Sequence, residues 1–195
     1  VSYLYYADRI YQINLAIAGI AIGTVILPNL SRYIKTSNNK KIDFIQNKAF
    51  ELCLFLSLPA SLGLIVGSYE ITSALFGYGA FDAISVSNSA MALYYFALGL
   101  PAFAIIKVFS TFLFARDNTK TPFYYSLISV IINISISLLF FNKVGFLIIP
   151  IATSISSWVN ALLLFFTLYS KKYFNFSSIF NFTILKIFLI SITTI

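Results

Sequence analysis

Asp8, Arg9 and Gln12 stand together in a run that is otherwise apolar and aromatic. At helical spacing Asp8 and Gln12 are one turn apart, so their polar ends share roughly one face with Arg9. A charge at the centre of a membrane helix costs about 2.5–3.5 kcal/mol on insertion scales, and it is retained where it faces protein or water. A guanidinium so placed grips two phosphate oxygens through parallel hydrogen bonds, which a lysine ammonium does not do. The residues alone leave a second placement open, with Asp8 and Arg9 at the outer interface and snorkelling into water.

Other polar groups in apolar runs admit two roles each. Lys107, flanked by Phe103-Ala104-Ile105-Ile106 and Val108-Phe109, adds positive potential to a cavity or snorkels to the cytoplasmic interface. Glu51 caps or pairs locally near the start of its run. Pro59, Pro101 and Pro150 each remove a backbone hydrogen bond inside a run and permit a kink. Such kinks suit gating helices, yet proline is ordinary in membrane helices. Gly19 and Gly23 form a small-xxx-small pair, read as a packing face rather than a hinge. Asn133 and Ser137, four apart, together with Thr153 and Asn160, could ligate a monovalent cation. Hydrogen bonds between helices are the simpler reading of the same residues.

No set of carboxylates, histidines or thiolates has catalytic or metal spacing, there is no histidine, and the one cysteine, Cys53, lies in an apolar run. The expectation is therefore a protein that is not an enzyme and takes no cofactor.

The elements that carry these residues are long and apolar. Of 195 residues, 59% are hydrophobic and 10% charged, where a soluble domain carries about a quarter charged. Six apolar segments follow one another: about 1–27, ended by Pro28, then 42–67, 86–114, 122–141, 144–169, and one starting near 180. Runs of this length match helices crossing about 30 Å of hydrocarbon, and they lack the alternation of barrel strands. The fold class expected is all-α, a polytopic transmembrane bundle of about six helices. Because the chain starts and stops inside apolar patterns, it reads as a piece of a longer polypeptide.

The net charge of +7 does not mark a nucleic-acid surface, because the basic residues sit in short gaps between apolar runs. Arg32, Lys35, Lys40 and Lys41, then Arg116 and Lys120, then Lys171 and Lys172 occupy the odd gaps; the even gaps carry only Lys143. The positive-inside rule puts the odd gaps in the cytoplasm, so the first helix descends toward it. Asp82 is the expected N-cap of the third segment, and Pro122 belongs to the first turn of the fourth. The outer gap, 68–87, contains a short interfacial helix or an ordered loop before the Gly77-Tyr78-Gly79 turn.

Several stretches resemble one family. Tyr6-Ala7-Asp8-Arg9-Ile10-Tyr11-Gln12 and Gly19-Ile20-Ala21-Ile22-Gly23-Thr24-Val25-Ile26-Leu27-Pro28-Asn29-Leu30-Ser31 are similar to the MurJ (MviN) lipid II flippases of the MOP transporter superfamily. So are Leu75-Phe76-Gly77-Tyr78-Gly79-Ala80-Phe81, Gly99-Leu100-Pro101-Ala102-Phe103 with Lys107-Val108, Ala115-Arg116-Asp117-Asn118-Thr119-Lys120-Thr121-Pro122 and Trp158-Val159-Asn160-Ala161-Leu162. The resemblance covers almost the whole chain in order.

It implies a fourteen-helix transporter of which residues 1–170 are most of the second lobe, with five helices. Residues 171–195 would be a cytoplasmic linker and the start of a further membrane helix. It also implies a substrate, lipid II, carried by alternating access across the bacterial inner membrane among membrane lipids. Arg9, with Asp8 beside it, would then bind the pyrophosphate. Gln12 stands where some relatives are acidic, so a carboxylate role is absent there. A sodium site of part of the family would match Asn133 and Thr153, but Ser137 replaces its aspartate, which argues against sodium. The rivals are another MOP-type exporter, of polysaccharide-lipids or drugs, and a non-transporting membrane scaffold.

Overall fold

The computed structural model describes residues 2–15, 22–79 and 81–175, and every regular element among them is helical. In chain order these are α1 (Ser2–Leu15), α2 (Ile22–Lys35), α3 (Asn39–Val66), the short α4 (Ser68–Phe76), α5 (Ala83–Phe114), α6 (Lys120–Val144), a 3-10 turn (Gly145–Leu147) and α7 (Ile148–Ser170). Among the described residues, three stretches are long and apolar enough to cross a membrane: α3, α5, and Lys120–Ser170, which holds α6, the turn and α7. The sixth expected segment, and Gly19, lie outside the described residues.

Lipid tails are as apolar as leucine, so helices in a bilayer associate through close packing and hydrogen bonds rather than through the hydrophobic effect. Helix α5 is built for this. Its small residues Ala92, Ala97, Ala102 and Ala104 are fully buried, and α1, α2, α3, α4 and α7 all pack on it. At Gly99 the backbones of α5 and α7 nearly touch, because a Cβ there would stand 2.7 Å from Ser154 Oγ and 3.1 Å from Ser154 Cα. Helix α6 instead forms a hairpin with α7. Pro122 is its one buried residue, and its flanks, Leu138 and Leu139 among them, are exposed.

Pro101 lies inside α5, where it cannot donate to the Ala97 carbonyl four residues earlier. Neighbouring helices supply donors around this break. Ser61 Oγ of α3 donates to Ala97 O at 2.7 Å, Trp158 Nε1 of α7 to Leu98 O at 3.0 Å, and Ser154 Oγ of α7 to Tyr95 O at 2.5 Å. Two other prolines differ from expectation. Pro28 does not end its helix: α2 runs through it to Lys35, with Asn29 Nδ2 donating back to Val25 O at 3.3 Å. Arg32 and Lys35 thereby sit in the last turn, where cations offset the carbonyl end of the helix. Pro150 is the third residue of α7, where the first-turn N–H groups have no intrahelical partner, so it breaks no span.

The two ends of the bundle differ in chemistry. At one end Ser37 after α2, Arg116 after α5 and Tyr173 after α7 line one cleft. Arg116 Nη2 donates to Tyr173 O at 2.9 Å, Nη1 to Phe112 O at 3.0 Å, and Asn47 Nδ2 of α3 to Asn175 O at 2.9 Å. Burial pushes the Arg116 guanidinium below its usual value, opposed by Tyr173 and Asp43, and Phe174 inserts among Phe50, Phe109 and Phe112. At the other end Tyr6 meets Phe76 and Phe81, and Tyr3 meets Phe146. The odd, basic gaps thus share one end, as the charge pattern requires.

Local expectations hold at several points. Asp82 caps α5, accepting from Ser85 N at 2.8 Å. Lys48 and Glu51 pair at 3.0 Å. The outer gap contains α4, a helix of nine residues.

Candidate functional site

Helix α1 has a greasy side and a polar side. Ala7, Ile10 and Tyr11 are buried against α5, Tyr11 stacking on Phe96 and meeting Phe103 edge-on. At about 100° per residue, Asp8, Gln12, Tyr5 and Arg9 fall in that order along an arc opposite this side. Tyr5, Arg9 and Gln12 are exposed, and Asp8 is half-buried.

Within the arc the two charges do not pair with each other. Gln12 Nε2 donates to Asp8 Oδ2. Arg9 Nη2 donates to Tyr5 Oη at 2.8 Å, with the Arg9 Cζ 4.7 Å from the Tyr5 ring centre. A guanidinium carries five N–H groups, so this contact leaves Arg9 with donors for a ligand.

Lys107 belongs to a different place. It is exposed on the stripe of α5 that carries Phe96 and Phe103, and it lines a cleft of about 980 Å³ with Gly23 and Thr24 of α2 and Phe123 and Ser126 of α6. Tyr11 sits level with the α5 turn between Phe96 and Phe103. At 1.5 Å per residue Lys107 is therefore about 14 Å from Arg9 along the bundle. Asp8, Arg9 and Gln12 are brought together, and Lys107 is not among them. Gly23 does face a packing partner: a Cβ there would stand 3.1 Å from Thr111 Oγ1 of α5.

Asn133 Nδ2 donates to Thr153 Oγ1 at 3.0 Å, joining α6 to α7, and Thr153 in turn donates to Ile149 O at 2.8 Å. These residues act as an interhelical hydrogen bond. Among the described residues no three of His, Cys, Asp and Glu cluster to hold a metal.

Sequence reasoning passed over Tyr5, although a phenol one turn before an arginine is a signal that spacing contains. It also passed over Ser61 and Ser154, for which sequence offers no signal, because their partners are backbone carbonyls of another helix.

A helical bundle with apolar spans and a polar arc on one helix defines a multi-pass membrane protein. The family model described as lipid II flippase MurJ matches residues 1–195, and the chain belongs to this family of transport proteins. A probable lipid II flippase MurJ of Rhizobium meliloti (strain 1021) is 44% identical over 168 residues, 86% of this chain and 31% of that protein. One from Rickettsia prowazekii (strain Madrid E) is 40% identical over 85% of this chain and 32% of its own length. A solved structure, "Lipid II flippase MurJ, inward closed conformation", superposes with a TM-score of 0.84 at 31% identity, covering 99% of this chain and 39% of that one. The chain spans about a third of the length of the curated relatives it matches.

Proposed function

We propose that the protein containing this chain moves lipid II, the lipid-linked peptidoglycan precursor, from the inner to the outer leaflet of the bacterial inner membrane by alternating access. The observation that carries this reading is Arg9. It is the one cation on the polar arc of α1, its hydrogen bond goes to Tyr5 rather than to Asp8, and no described helix covers it.

A guanidinium held within the thickness of the membrane is costly unless it meets an anion or water. The pyrophosphate of a lipid-linked sugar supplies that anion, and the planar fork fits two of its oxygens. Asp8, occupied by Gln12, lies at the far edge of the arc. Lys107, about 14 Å deeper, adds positive potential on the cytoplasmic side. The prenyl tail stays in lipid while the head group crosses, and the cavity opens to one side at a time.

The test replaces Arg9 by Ala and by Lys in the full-length protein and follows the appearance of lipid II outside. Charge-assisted hydrogen bonds contribute about 1.5–3 kcal/mol each, so Arg9→Ala is expected to slow flipping at least tenfold. Arg9→Lys, which keeps charge and loses the fork, falls between. Undiminished flipping by Arg9→Ala would remove this residue from the mechanism.

A further inference from the structure

We propose that Tyr5 is a second member of the anion site, holding the guanidinium with its ring and donating its own hydroxyl hydrogen to the phosphate that Arg9 grips. The inference rests on the reading of Arg9 given above.

The argument begins with proton accounting. A phenol has one O–H to donate and lone pairs to accept. The Tyr5 oxygen accepts from Arg9 Nη2 at 2.8 Å. Since a guanidinium accepts nothing, the Tyr5 hydrogen is not spent on Arg9. Tyr5 is 56% exposed, so its hydroxyl is accessible on the same arc as Arg9. The ring of Tyr6 meets that of Tyr5 edge-on at 6.0 Å.

The ring has a separate task. With the Arg9 Cζ 4.7 Å from its centre, the aromatic face attracts the cation and limits the rotamers of a long side chain. An arginine already oriented loses less freedom when a ligand arrives. The arrangement of the arc completes the case. Gln12 and Tyr5 lie between Asp8 and Arg9, and each charged group is taken up by a neutral neighbour. Arg9 therefore keeps N–H groups that no carboxylate occupies, with a neutral hydroxyl donor beside it. Such a set of donors beside a positive charge suits an oxyanion such as phosphate and repels a cation.

The test measures binding to the purified full-length protein in nanodiscs with two probes, a polyprenyl pyrophosphate and the corresponding neutral polyprenyl alcohol. Tyr5→Phe removes one exposed oxygen and keeps the ring. It is expected to weaken the pyrophosphate about tenfold and to leave the alcohol unchanged. Tyr5→Leu, which loses the ring as well, is expected to weaken the pyrophosphate further.

Equal pyrophosphate affinity for Tyr5→Phe and the parent would overturn the proposal, and so would equal losses for both probes, which would indicate a role in the fold alone. Arg9→Ala is measured beside them. If Arg9→Ala binds pyrophosphate as the parent does, the anion-site reading itself fails. If Arg9→Ala is crippled and Tyr5→Phe is not, only the Tyr5 inference does.

Discussion

The hydroxyl of Ser61 on α3 donates at 2.7 Å to the carbonyl of Ala97 on α5, the acceptor that Pro101, four residues on, cannot serve. With Trp158 and Ser154 donating from α7 to two nearby carbonyls, the break in α5 is held from both sides. The α5 surface that seats α1 straddles this break, since Tyr11 packs on Phe96 before it and Phe103 after it. The stretch of α5 around Pro101 therefore helps to set where Arg9 stands.

Removing Ser61 strands a buried carbonyl. Ser61→Ala is expected to cost about 1–3 kcal/mol. In a Pro101→Ala background the restored N–H reaches Ala97 O, and most of that cost should vanish. Unfolding of the four full-length forms in denaturant reads the coupling, and strictly additive effects would show that Ser61 does not serve the proline break.

Gly99 tests the contact between α5 and α7. A methyl there meets Ser154 at 2.7 Å and 3.1 Å, one contact being to backbone, so Gly99→Ala should destabilise by about 1–3 kcal/mol through overpacking. A melting temperature equal to the parent's would mean that the helices separate at no cost.

Asp82 gives a pH dependence. Its hydrogen bond to Ser85 holds the carboxyl below its ordinary value. The cap's contribution is thus fully present above the ordinary carboxylate range and is lost as pH falls through the lowered folded-state value. Asp82→Asn, an equally good cap, should remove this acid sensitivity while keeping neutral-pH stability, as read by melting curves taken from neutral pH down through and below the ordinary carboxylate range.

Residues 171–175, after α7, are anchored by Arg116 and Phe174. Phe174, fully buried among three other phenylalanines, should cost about 3–5 kcal/mol when replaced by Ala. Limited proteolysis from the cytoplasmic side is expected to cut the variant faster near residue 173. An unchanged cleavage rate would show that the anchoring is not mutual.

How much was legible in the sequence follows from the range of each interaction. The spans, the sidedness of the basic gaps, the Asp82 cap and the shared face of Asp8 and Gln12 are encoded within a few residues, by length, charge and helical period. Pro28 misled because a proline inside a membrane helix looks like a stop. The helix nonetheless continues, with Asn29 bonding back to Val25. Pro150 misled in the opposite way, since the turn at Gly145, with φ 69°, moves the start of α7 and leaves the proline harmless in its first turn. Sequence left Lys107 two roles, potential in a cavity or snorkelling, and did not say how far it stands from Arg9. Their separation is a property of how α1 is seated along α5, which no local pattern records.

The most direct test of the polar arc places a cysteine at Gln12, keeping Arg9 and Tyr5, in full-length protein otherwise free of cysteine. A water-soluble thiol reagent is expected to label this position, and a polyprenyl pyrophosphate to slow the labelling while the neutral polyprenyl alcohol does not. Failure to label, or labelling at one rate with and without the pyrophosphate, would contradict an α1 face that meets the substrate's anion.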